Sequence, residues 1–314
     1  MSFFKPRKVE RNYDLLSSCS WYTPDVGGLF VVLGWFLVGM IIAGIATAPL
    51  MLGGTIPLYY VMLIMYPLQF LAVFIFVRIK SSRDMAFETG YALDSDHFGK
   101  WGGGGLALAV VVGSLAAGMI LELVNHYLPD TEGSIIEQME KMMEGPLWVN
   151  LITMAIMAPI CEEWLCRGVI LRGLLNYKHK SSVIESERQR GMSPALAIVI
   201  SAIFFAAIHG NVWQGVVAFA IGCLMGYVYF RTGSLKLTML MHCANNTLAV
   251  LLGKFGSEEF SEAKSLVDIL PIWEYAIIFV VSAIILWFLI DYLRKIPLQD
   301  PQGNCDVIPA SAED

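Results

Sequence analysis

An all-α, polytopic membrane protein, with about eight transmembrane helices enclosing a polar intramembrane site, is the fold class this sequence predicts. Three observations predict it. The chain of 314 residues is 56% hydrophobic and only 15% charged, where an average soluble domain is about 25% charged. Its apolar residues gather into runs close to the roughly 20 residues that a helix needs to cross the hydrocarbon core, and its mean hydropathy is +0.62. One of those runs, "MAIMAPICEEWLCRGVILRGLL" (154–175), nevertheless holds Glu162, Glu163 and Arg167 in its middle.

The runs, in order, are about 28–51, 56–77, 102–125, 147–175, 194–210, 213–230, 235–252 and 272–293. The first contains Ala46-Thr47-Ala48, which imitates a signal-peptide cleavage site. The polar segment of 27 residues before it, the length of the run and the following Pro49 favour a retained first span. The fourth is long enough to project beyond the bilayer at its basic end, and the fifth to seventh are short and tightly linked. Residues 100–105, "KWGGGG", form a hinge into the third span, and 134–144, "SIIEQMEKMME", has the apolar spacing of a helix lying along the outer interface.

Loop charges order the spans across the membrane, because basic residues favour the cytoplasmic side. Lys5, Arg7, Lys8 and Arg11 precede the first span. Arg78, Lys80, Arg83 and Lys100 follow the second, and Arg172, Lys178, Lys180, Arg188 and Arg190 follow the fourth. Arg231 and Lys236 follow the sixth, and Arg294 and Lys295 the eighth. The intervening loops are uncharged or acidic, as in 253–271 with Glu258, Glu259, Glu262 and Asp268. The expectation is a multi-pass integral membrane protein of a bacterial inner (cell) membrane with both termini cytoplasmic. It divides into a cytoplasmic segment 1–27, one membrane domain 28–296 and a polar tail 297–314.

Composition also excludes functions. The net charge of -6 and the absence of a basic stripe interleaved with aromatics argue against nucleic-acid binding. Cys19, Cys161, Cys166, Cys223, Cys243 and Cys305 form no CxxC pair and match no zinc or disulfide framework, so they read as small buried hydrophobes. Glu122 and His126 read as a polar helix end. Trp21, Trp35, Trp101, Trp148, Trp213 and Trp273, near span ends, read as an aromatic belt.

A charge at the bilayer centre costs about 2.5–3.5 kcal/mol on insertion scales, so three of them need partners. Glu163 and Arg167 are four apart and share a helix face in the favourable acid-then-base order. Glu162 is rotated by about 100 degrees from Glu163 and is expected to face a different polar group. Two further one-face pairs lie in other spans, Phe205 with His209 and His242 with Asn246; Asn245 lies off that face. A free carboxylate, two imidazoles and an amide are the parts of a hydrolytic site: a base, groups that polarise a carbonyl, and a donor for an oxyanion. Two histidines and a glutamate are also a three-ligand set for zinc with an open fourth position, although the His-Glu-x-x-His helix of soluble zinc proteases is absent.

Glu162-Glu163-x-x-x-Arg167, Phe205-x-x-x-His209 and His242-x-x-x-Asn246, in that order on spans four, five and seven, resemble the three-part signature of the CPBP family of intramembrane proteases. That family includes the CAAX prenyl endopeptidases and bacterial (Abi) proteins of bacteriocin processing and immunity. The resemblance covers roughly 145–255. It implies a membrane-embedded endopeptidase in which Glu162 activates a water, Glu163 and Arg167 form a supporting pair, His209 positions the water or a metal, and His242 and Asn246 stabilise the oxyanion. A divalent metal such as zinc on Glu162, His209 and His242 and a metal-free glutamate mechanism are both compatible with it. The implied partners are a peptide or membrane-protein substrate, prenylated or not, and the lipid bilayer. The rival readings are a non-catalytic immunity or scaffold protein on the same frame and a transporter using the charges as an ion path; no inverted repeat or paired broken helices support the latter.

Overall fold

The uncharged runs become long helices, because a chain in hydrocarbon must satisfy every backbone polar group within itself. The computed structural model describes residues 22, 24–54, 56–84, 93–95, 98–129, 143–176, 192–256 and 265–298, and among them the regular structure is entirely helical. Asp25 starts α1 (Val26–Leu52) by accepting a 2.7 Å bond from the Gly28 amide. After a tight connection α2 (Leu58–Asp84) runs back along it. Their crossing is set by Gly39, where a Cβ would stand 2.1 Å from the carbonyl oxygen of Gln69. Small residues permit this approach between membrane helices. Gly39→Leu is therefore expected to pry α1 from α2 and to cost about 1–3 kcal/mol, the usual range for overpacking, measured as reversible unfolding in mixed micelles.

A 3₁₀ turn, Gly99–Trp101, leads into α3 (Gly102–Tyr127). Then comes α4 (Leu147–Leu175), the most deeply placed span: 61% of its 18-residue apolar window is buried inside the protein, against 17–33% for the other five such helices. It is not a regular rod. Leu151–Met157 and Trp164–Leu171 have wide π-type turns, and only Ala158–Glu163 between them is α-helical. Pro159 gives a local reason for the first widening, since it has no N–H to donate and its ring crowds the carbonyl four residues back. Such bulges often occur at functional sites.

α5 (Pro194–Ala207) and α6 (Val212–Thr232) form a hairpin. Gly210, at φ +67°, supplies the left-handed residue of its turn, and Asn211 caps α6 by accepting from the Trp213 amide at 2.9 Å. α7 (Leu235–Phe255) follows, then a single helical turn at Leu266–Ile269 and α8 (Ile272–Arg294). α7 packs between α3 and α4, while α3 also touches α6 and α8. Phe30, Ile41, Ile45, Trp287 and Phe288 on α1 and α8 face outward.

Among the described residues six helices, α1 to α4, α6 and α8, are long and apolar enough to cross a membrane. The two remaining proposed spans differ from them physically. α5 has 14 residues, or about 21 Å of rise against a core of about 30 Å. α7 has 21 residues but carries His242, Asn245 and Asn246.

Polar contacts tie the helix ends together. Asp94 Oδ1 accepts from the Leu235 amide at 2.8 Å and so caps α7 from a distant part of the chain. Arg231 donates to the carbonyls of Leu293, Arg294 and Ile296, closing the end of α8. Glu122 accepts from the Leu266 amide at 3.0 Å and His126 pairs with Asp268 at 2.6 Å, so this polar end of α3 docks the Leu266–Ile269 turn. Slight burial pushes the Asp268 carboxyl up, but hydrogen bonds from Ser265 and His126 outweigh it and hold the carboxyl below its usual range. Cys161, Cys166, Cys223 and Cys243 are free thiols. Cys19, Cys305, Trp21, most of the interfacial stretch 134–144 and the tail beyond 298 lie outside the described residues.

Candidate functional site

The short α-helical segment of α4 between its two wide stretches presents Glu162 and Glu163, and both are buried. Glu163 and Arg167 are fully enclosed, and Arg167 Nη1 donates to Glu163 Oε1 at 2.6 Å. The other arm of the guanidinium, Nη2, donates to the Gly222 carbonyl on α6 at 2.9 Å. Its carbon lies 4.5 Å from the centroid of the Phe205 ring on α5, within cation–π range. Gly222 serves twice, since its missing side chain also admits Phe205: a Cβ there would stand 3.2 Å from the ring.

His242, on α7, is bracketed by both glutamates. Its Nδ1 is 3.1 Å from Glu163 Oε1, and its Nε2 is 3.9 Å from Glu162 Oε2. An imidazole presents its two nitrogens on different edges. One ring can therefore engage two carboxylates that leave α4 in different directions. His242 is shared with Glu163, but Glu162 also has a polar partner of its own. Its Oε1 accepts a hydrogen bond from the hydroxyl of Tyr66, on α2.

Glu162 Oε2 is enclosed and has no hydrogen-bond partner in the protein among the described residues. Two heavy atoms 3.9 Å apart can both bond one water at normal lengths of about 2.8 Å. The arrangement thus has the geometry for a water held between a carboxylate and an imidazole.

His209 stands in the turn just beyond α5 and is half-buried. Its Nδ1 is 2.7 Å from the Phe205 carbonyl. A carbonyl only accepts, so this nitrogen carries the proton and Nε2 is left as an acceptor. Phe205 connects the two histidines: its ring meets His209 edge-on at 4.9 Å and His242 edge-on at 5.4 Å. Asn246 is four residues beyond His242, as the spacing requires, but its amide donates to the Met154 carbonyl at 2.7 Å, joining α7 to the first wide stretch of α4. The neighbouring Asn245 Nδ2 is buried without a hydrogen-bond partner among the described residues.

Glu162, Glu163, Arg167 and His242 therefore form one contiguous buried cluster, with Phe205 as its floor, His209 at its edge and Asn246 bracing its helices. Tyr66 belongs to the same cluster and was not among the residues the sequence singled out. Its only signal is a hydroxyl in a run, "LYYVMLIMYPL" (58–68), where tyrosine is common. Among the described residues no group of three His, Cys, Asp or Glu side chains gathers closely enough to hold a metal ion. The trio Glu162, His209 and His242 is not among such groups.

Residues 144–248 match the family model described as Type II CAAX prenyl endopeptidase Rce1-like. That segment is about a third of the chain and coincides with the stretch whose motifs carry the CPBP resemblance, which the match bears out. It contains α4, α5, α6 and most of α7, with every motif residue from Glu162 to Asn246, and leaves out α1 to α3 and Tyr66. No curated protein and no solved structure matches the chain.

Proposed function

We propose that this chain, whose central segment matches the type II CAAX prenyl endopeptidase family, is a membrane-embedded endopeptidase that hydrolyses a peptide bond with a water activated by Glu162. The observation that carries the reading is the facing pair inside the bundle: Glu162 Oε2, without a hydrogen-bond partner among the described residues, opposite His242 Nε2 at 3.9 Å.

The chemistry follows from the placement. Glu162 Oε2 takes a proton from water as the oxygen bonds to the scissile carbonyl carbon. His209 Nε2, the acceptor nitrogen, orients that water from the α5 side. The negative charge that develops on the carbonyl oxygen is met by His242 Nε2–H, with the ring in its imidazolium form, and by the second amide hydrogen of Asn246. The proton held by Glu162 then passes to the leaving nitrogen as the C–N bond breaks. Glu163 fixes the His242 ring through Nδ1.

The substrate is a peptide or membrane protein that reaches the site from the bilayer. Counting α5 and α7 as crossings gives eight spans with both termini cytoplasmic, the arrangement the loop charges favour.

The direct test is hydrolysis by the purified full chain in proteoliposomes. A panel pairs a farnesylated peptide ending in a CAAX sequence with its unprenylated twin and with unmodified transmembrane peptides. Cleavage in ¹⁸O-labelled water places one labelled oxygen in the new carboxylate. Loss of cleavage in Glu162→Gln assigns the activity to this site; undiminished cleavage in that variant rejects the assignment.

A further inference from the structure

We infer that Tyr66, on a helix outside the matched segment, is a positioning residue that aims the Glu162 carboxylate; the inference rests on the hydrolytic reading of the site. A glutamate carboxylate turns about its last torsion in a broad, two-fold well. A buried base that must keep one oxygen on a reacting water therefore needs its other oxygen anchored. The structure places one such anchor there. The Tyr66 hydroxyl donates to Oε1, and Oε2 is thereby turned toward His242 Nε2 at 3.9 Å. A phenol is well suited to this position, because its body is apolar and its single polar atom reaches the acid.

Tyr66 is itself held in place. Its ring packs on Phe70 one turn along α2, at 5.6 Å between centroids, and Phe70 packs on Phe36 of α1 at 5.2 Å. The close approach of Gly39 to the Gln69 carbonyl fixes the same stretch of α2 against α1. A contiguous series of contacts thus runs from α1 through α2 to the base on α4. This gives the α1–α2 hairpin a role in the chemistry that membrane anchoring alone would not require.

The test compares wild type with Tyr66→Phe, which keeps the ring and its packing and removes only the hydroxyl. Hydrogen bonds to charged groups contribute about 1.5–3 kcal/mol, so kcat is expected to fall about 10- to 100-fold at unchanged KM, with a lowered unfolding midpoint because Glu162 Oε1 loses its donor. An unchanged kcat overturns the inference. So does a raised KM at constant kcat, which would mark Tyr66 as a substrate contact instead. A second readout needs no turnover: infrared difference spectra of the full chain in lipid. The wild type minus Tyr66→Phe spectrum should contain the same carboxylate stretch as wild type minus Glu162→Gln, and its absence rejects the contact. If Glu162→Gln cleaves as well as wild type, the hydrolytic reading fails by itself, and the infrared comparison still decides whether Tyr66 holds Glu162.

Discussion

Glu162→Gln is expected to lower kcat by about 10²- to 10⁴-fold, the contribution typical of a positioned general base, while leaving the protein folded in the membrane. The substitution is nearly isosteric. Gln keeps an oxygen that can accept from Tyr66, so the contact from α2 need not be lost. What disappears is the second carboxylate oxygen, the one that faces His242 Nε2 at 3.9 Å and has no hydrogen-bond partner among the described residues. An amide nitrogen in its place cannot accept a proton from water. Arg167 keeps its own partner in this variant, because it is paired with Glu163 rather than with Glu162. The unfolding midpoint should therefore hold. Initial rates in proteoliposomes, read beside reversible unfolding in mixed micelles, check both halves. If rates are unaffected, the base lies elsewhere; if wild type cleaves nothing and cells expressing the variant are indistinguishable from wild type, the frame is a scaffold rather than a peptidase.

How much of this site the sequence discloses depends on the range of the contact. Pairs four residues apart on one helix are legible because helical geometry alone brings them together. Glu163 with Arg167, and His209 with the Phe205 carbonyl, occur at the spacing that predicts them. The buried charges are legible as a cluster because lipid offers them no other partner. The identity of each partner across helices is not. Nothing in the spacing of His242 says that its ring lies between Glu162 and Glu163, and helical rotation alone argues for separate partners. Asn246 lies on the expected face, yet its amide goes to the Met154 carbonyl, in a wide stretch for which Pro159 is the visible cause in the sequence. Tyr66 is 96 residues from Glu162 in sequence and sits on a helix with no motif. Its hydroxyl becomes meaningful once α2 is packed on α4. The span count shows the same limit. The apolar run 194–210 resembles its neighbours, but Gly210 and Asn211 turn the chain and α5 ends at Ala207.

The second large effect falls on stability rather than on rate alone. Glu163→Ala is expected to destabilise the fold by about 3–5 kcal/mol, the cost of leaving one member of a buried ion pair without the other. Arg167 cannot shed its proton, and it is fully enclosed. Its remaining contacts, the Gly222 carbonyl and the face of Phe205, offer partial charges in place of a full one. The double replacement Glu163→Ala with Arg167→Met removes both ions. It should recover most of the lost stability, since a buried pair exchanged for apolar groups of similar volume is often neutral. Activity should not recover with it. His242 Nδ1 is 3.1 Å from Glu163 Oε1, and without that acceptor the ring loses its orientation. Unfolding equilibria and cleavage rates of the two variants thus separate the two duties of Glu163. If the single variant is as stable as wild type, the pair is not what holds Arg167 in the bundle. If the double variant regains activity, Glu163 serves only to neutralise Arg167, and His242 needs no carboxylate behind it.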